Sequence, residues 1–73
     1  MSSHLPPISG KDLIRILLQQ GFFISRQSGS HVILRHADGR GTTVPLHAHC
    51  DLGKRLLRQI LRDSGLTPDD LKR

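Results

Sequence analysis

The chain has no tryptophan, no tyrosine and no glutamate; two phenylalanines are its only aromatic residues of that class, and 73 residues include one cysteine. Each scarcity excludes something. The lone Cys50 rules out an internal disulfide, which fits a reducing cytosol. Phe22 and Phe23 follow Gly21 directly. In that position both read as core, so an aromatic platform for stacking bases is not expected. No apolar run approaches the ~20 residues that a membrane-spanning helix needs. Residues 1–7 are polar, prolyl and short, without a secretory pattern. The sequence thus leads to the expectation of a cytoplasmic chain without a membrane partner.

What the chain does have is positive charge. Eleven Lys and Arg stand against six acidic residues, all Asp, for a net charge of +5 and a pI of about 10.8. A compact basic domain attracts polyanions and steers them in from a distance. At 73 residues the chain forms one domain, 1–73, with residues 1–7 read as a flexible lead-in. Such a domain buries only about 60% of its unfolded surface. It holds a thin core between two layers and offers a shallow groove, not a deep pocket. A groove of that kind suits a polymer better than a small metabolite. Neither a small-molecule ligand nor a cofactor is expected.

Hydrophobic spacing orders the elements. Ser9 is a good N-cap, Asp12 completes a short capping box, and Ile8 with Leu13 makes a hydrophobic staple. Leu13, Ile14, Leu17 and Leu18 form one helical stripe that Gly21 ends. Residues 22–26 are rich in strand formers, and Ser28-Gly29-Ser30 is a turn. Residues 31–36 make a second strand, Asp38-Gly39 a hairpin turn, and residues 42–46 a third strand. Pro45 marks a strand edge or end. Leu56, Leu57, Ile60 and Leu61 define a second amphipathic helix from about Gly53 to Ser64, closed by Gly65. Pro68 opens a last short helical turn. The order α-β-β-β-α predicts an α+β fold: a three-stranded antiparallel sheet with two helices on one face.

Several ordered motifs carry a resemblance. The turn Gly29-Ser30-His31 sits at the start of the second strand, and Ser9-Gly10-Lys11-Asp12-Leu13 opens the first helix. Val44-Pro45-Leu46-His47, the helix Leu56-Leu57-Arg58-Gln59-Ile60-Leu61-Arg62, and Ser64-Gly65-Leu66-Thr67 follow. Together, over about Ile8 to Asp70, they resemble the HicA (YcfA-like) toxins. The resemblance implies a double-stranded-RNA-binding-domain-like fold and ribosome-independent cleavage of mRNA. It also implies a HicB-type antitoxin as partner and a catalytic histidine at position 31. Three stretches depart from the family pattern. Val32 stands where a second His is common, residues 48–51 replace a lysine-rich loop, and Gly53-Lys54-Arg55-Leu56 replaces Gly-Thr-Leu.

The residues are consistent with that chemistry. RNA supplies its own nucleophile, the 2′-OH, so a ribonuclease must chiefly move protons and neutralise a phosphorane. Imidazole titrates near neutrality and suits the proton work. Gly29 and Ser30 carry little bulk beside His31, so a phosphate can approach the backbone there. The Ser30 hydroxyl can donate to it. Strand alternation puts Arg35 and Ile33 on the face of His31, with Val32, Leu34 and His36 opposite. Arg35 is then a phosphate ligand. His36 and His47 are candidates for a second proton-transfer group. Arg55, Arg58 and Arg62 recur at i, i+3 and i+7 as one helical stripe, which is either a phosphate-tracking surface or an ordinary solvated face. His47, His49 and Cys50 invite a metal reading, but no fourth ligand is evident, so no metal is expected. The alternatives to a nuclease are a non-catalytic binder of structured RNA and a metal-binding regulator built on those three residues.

Overall fold

Six elements follow one another in the computed structural model, which describes residue 5, residues 7–46 and residues 51–71. They are α1 (Gly10–Gln19), β1 (Phe23–Ser28), β2 (His31–Arg35), β3 (Gly41–Pro45), α2 (Lys54–Ser64) and a closing 3-10 turn (Pro68–Leu71). The three strands form one antiparallel meander in the order β1-β2-β3. This is the α-β-β-β-α arrangement that the spacing predicts. No helix among the described residues is long and apolar enough to cross a membrane.

Local chemistry sets the ends of the helices. The Ser9 hydroxyl accepts the Asp12 N–H at 3.2 Å, which satisfies one of the free donors at the start of α1. At its other end the Gly21 N–H reaches the Leu18 carbonyl and the Phe22 N–H the Leu17 carbonyl. This double closure requires a left-handed residue at position 21, and Gly21 supplies φ 96°. Gly65 ends α2 in the same way, at φ 73°. Its neighbour Ser64 is fully buried, and its hydroxyl donates to the Ile60 carbonyl at 2.7 Å.

The core lies between the helices and one face of the sheet. Val32 and Leu34 of β2 and Val44 of β3 face Leu13 and Leu17 of α1 and Leu57 and Ile60 of α2, all essentially without solvent exposure. Leu5, within the segment read as a lead-in, is buried against this cluster. Residues 8–9 bridge residues 51–52, with the Leu52 N–H donating to the Ile8 carbonyl at 2.8 Å. The Leu46 N–H donates to the Ser30 carbonyl. The chain leaving β3 is therefore anchored beside the β1–β2 turn.

The sheet has one irregularity. Phe23 pairs with Arg35 and Ile24 with Leu34, but Arg26 pairs with Ile33, so β1 carries one extra residue there. Such a bulge reverses the alternation of side chains along the strand beyond it. Strand β1 also begins and ends later than residues 22–26: Phe22 is 3% exposed and stays in the core, whereas Phe23 is 50% exposed. Only half of the expectation that both phenylalanines are core holds.

Candidate functional site

The open face of the sheet, the one without helices, is assembled from cross-strand pairs. Opposed residues of an antiparallel ladder share a face. His31 pairs with Ser28 and with Pro45, Ile33 with Arg26 and Thr43, and Arg35 with Phe23 and Gly41. His31 and Arg35 are exposed and Ile33 is half-buried, while Val32 and Leu34 between them are buried. The alternation expected for β2 is thus present. His31 sits at one end of this face, next to the tight turn, and Arg35 lies about 13 Å along the strand from it. At that separation the two do not share a phosphate.

The turn before His31 is bare. Gly29 has φ 59°, a left-handed conformation that favours glycine, and a side chain there would meet no atom within 4 Å. Its carbonyl accepts from the Gln27 amide at 3.2 Å. Gly29, Ser30 and His31 are all exposed. The backbone can therefore be approached closely from solvent, as contact with a phosphate requires.

Position 36 has a different role. The His36 ring packs edge-on to Phe22, with centroids 5.0 Å apart, on the helix side of the sheet. Its Nδ1 lies 3.1 Å from both the N–H and the carboxylate of Asp38. His36 is built into the β2–β3 turn and is not brought to His31. His47, His49 and Cys50 lie outside the described residues. Among the described residues no group of three or more metal-ligating side chains occurs.

A groove of about 530 Å³ runs along the outer edge of β3, between Ile33, Arg35 and Thr43 on one side and Leu56, Gln59 and Asp63 of α2 on the other. Its acidic wall is held in place: the Asp63 carboxylate accepts from Thr42 Oγ1 at 3.2 Å and from Gln59 Nε2 at 2.9 Å. Gln59 also borders a second, smaller depression of about 260 Å³, whose other walls are Arg55, Arg58 and Arg62. The arginine stripe read from the sequence is thus one concave, cationic surface. It lies on the solvent side of α2 and shares Gln59 with the groove.

Sequence reasoning missed two residues of the open face. Arg26 reaches the open face because of the bulge, and a bulge has no reliable sequence signal. Phe23 reaches it because the strand starts one residue later than the phenylalanine pair suggests. Among the described residues no carboxylate pairs with Arg26 or Arg35.

Comparison with known families adds a match to the model described as HicA toxin of bacterial toxin-antitoxin, over residues 10–66. That span begins with the first residue of α1 and ends just beyond α2, so it includes the whole sheet and both helices. No curated protein matches the chain.

Proposed function

The chain belongs to the HicA toxin family of bacterial toxin–antitoxin systems, and on that premise we propose that it is a ribosome-independent, mRNA-cutting endoribonuclease with His31 as its catalytic residue. The observation that supports this most is the position of His31. It is an exposed imidazole at the end of an open, basic sheet face, directly after a turn with almost no side-chain bulk.

The chemistry follows from that position. A phosphate seated against Gly29 and Ser30 brings the adjacent 2′-OH to the His31 ring. The imidazole accepts the 2′-OH proton as the 2′-oxygen attacks phosphorus. The bond to the 5′-oxygen breaks, and that oxygen takes a proton from solvent, which reaches this open site. The products are a 2′,3′-cyclic phosphate and a free 5′-OH. The Ser30 hydroxyl donates to the phosphoryl oxygens as charge builds on them. Arg35 holds a flanking phosphate, and Arg55, Arg58 and Arg62 track the strand further away. No metal enters this scheme. The partner that silences the activity in the cytoplasm is a HicB-type antitoxin.

Cleavage of RNA by the wild-type protein and by His31→Ala, in chelator and with the product ends analysed, tests the assignment. Cutting by wild type alone, with cyclic phosphate ends, is expected. Equal cutting by both proteins moves catalysis to another residue. RNA binding without cutting by either would make the domain a binding module.

A further inference from the structure

Phe23 is a half-exposed ring at the far end of the face that carries His31. A single exposed apolar residue is ordinary on a protein surface. The surroundings of this one are not. The bulge between Ile24 and Arg26 turns the second half of β1 over, and only for that reason do Phe23, Arg26 and Ser28 all fall opposite the outward residues of β2. Bulges commonly re-aim side chains beside functional sites. Among the described residues the one cation stacked on a phenylalanine is Arg40, on Phe22, and no aromatic or cationic side chain stacks on the Phe23 ring. Its cross-strand neighbour Arg35 lies along Gly41, with Cγ 3.7 Å from where a side chain at 41 would begin. Arg35 also lines the groove beside β3, and it makes no cation–π contact with Phe23.

We infer that Phe23 is a stacking platform for one unpaired base of the RNA, so that the open sheet face takes a single strand running from His31 past Ile33 and Arg35 to Phe23. This rests on reading the face as an RNA site. The occupant follows from charge and shape. The strands carry Arg26, Arg35 and His31 on this face and no carboxylate; Asp63 stands apart on the wall of the groove. A polyanion with flat, apolar bases matches a surface of alternating cations and apolar groups. In a duplex the bases are stacked on one another and do not present a face to a side chain. The site therefore selects single-stranded or looped RNA.

The test uses His31→Ala protein, which is expected to hold RNA without cutting it, with and without Phe23→Ala, Phe23→Leu and Phe23→Trp. Affinity is measured for one single-stranded oligonucleotide and for the same sequence as a duplex. The oligonucleotide carries 2-aminopurine at successive positions, so that fluorescence reports stacking. Phe23→Ala and Phe23→Leu are expected to weaken single-strand binding by about 5- to 150-fold, leave duplex binding unchanged, and abolish the fluorescence change at one position. Phe23→Trp is expected to retain all three behaviours. Equal effects on single strand and duplex, or none on either, overturn the inference. So does unchanged RNA binding with weakened capture of the antitoxin, which assigns Phe23 to the protein interface. Phe23-dependent binding by a wild-type protein that never cuts RNA would sink the nuclease reading and leave the stacking site standing.

Discussion

The Arg40 guanidinium donates through Nη1 to the main-chain carbonyl of Ser64, 24 residues further along the chain. That carbonyl is at the end of α2, where backbone acceptors lack helical partners and the helix dipole favours a cation. The same guanidinium bonds the Asp38 carboxylate through Nε at 2.7 Å and lies 5.2 Å from the centroid of Phe22. One side chain thus ties the β2–β3 turn to the helix that carries the arginine stripe.

Loss of that tie has a measurable cost. A hydrogen bond to a charged group contributes about 1.5–3 kcal/mol. Arg40→Ala is expected to destabilise by about 2 kcal/mol, and about 4–8 °C of Tm goes with each kcal/mol in a domain of this size. Arg40→Lys is expected to recover less than half, because one ammonium nitrogen does not reproduce the separate Nε and Nη1 donors that reach Asp38 and Ser64. Thermal denaturation of the three proteins checks this, and an unchanged Tm in Arg40→Ala would refute it.

Asp38 links the same turn to pH. The N–H of Arg40 holds the Asp38 carboxyl below its ordinary value of 3.8, opposed by desolvation and reinforced by the Arg40 guanidinium and by His36. A depressed carboxyl favours the folded state when ionised. Its contribution is therefore complete above 3.8 and is lost as pH falls through the lower folded value. Denaturation midpoints of wild type and Asp38→Asn are expected to differ at neutral pH and to converge in acid below 3.8. A gap that widens in acid would reverse the sign of the argument.

Much of this fold was legible because local signals and packing agree. Ser9, Gly21, Asp38-Gly39 and Gly65 punctuate the elements, and each occupies the cap or turn its residue type suggests. The position of His31 and Arg35 on one face followed from a period of two in β2, a strand without irregularity. The rest depended on tertiary choices. The bulge in β1 is decided by how the strand pairs with β2, and no residue there announces it. Two adjacent phenylalanines look alike in sequence, yet one caps α1 in the core and the other faces solvent. His36 is a candidate proton-transfer group by residue type, but its ring partner is Phe22, and Arg40 bonds Ser64; both partners are distant in the chain.

Gly10 is a further position where backbone meets backbone. It is buried, and a side chain there would overlap the Pro45 carbonyl and press on Val44 Cγ1 at 3.4 Å. A carbonyl cannot swing aside as a flexible side chain can, so the end of β3 must move. That end is the ladder partner of His31. Gly10→Ala is expected to cost about 1–3 kcal/mol and to reduce RNA cleavage further than the loss of folded protein explains. Cleavage rates normalised to the folded fraction provide the check; a normal Tm with normal cleavage would contradict the packing argument.

The arginine stripe separates a phosphate-tracking surface from a solvated helix face by its response to salt. Each phosphate neutralised on a single strand steepens the fall of log affinity with log salt by about 0.7. Arg55, Arg58 and Arg62 wall one depression with Gln59, so a strand passing over it meets all three. Replacing them together by Gln keeps good helix formers at exposed positions and leaves the buried side of α2 intact. If each arginine holds one phosphate, the slope measured with His31→Ala protein is expected to flatten by about 2. Cleavage by the otherwise wild-type protein should then show a raised KM and an unchanged kcat, since the three arginines lie on α2 and not on the turn or strand that carries His31. An unaltered slope would mean that these charges only solvate the helix, and the RNA path would end at the groove beside β3.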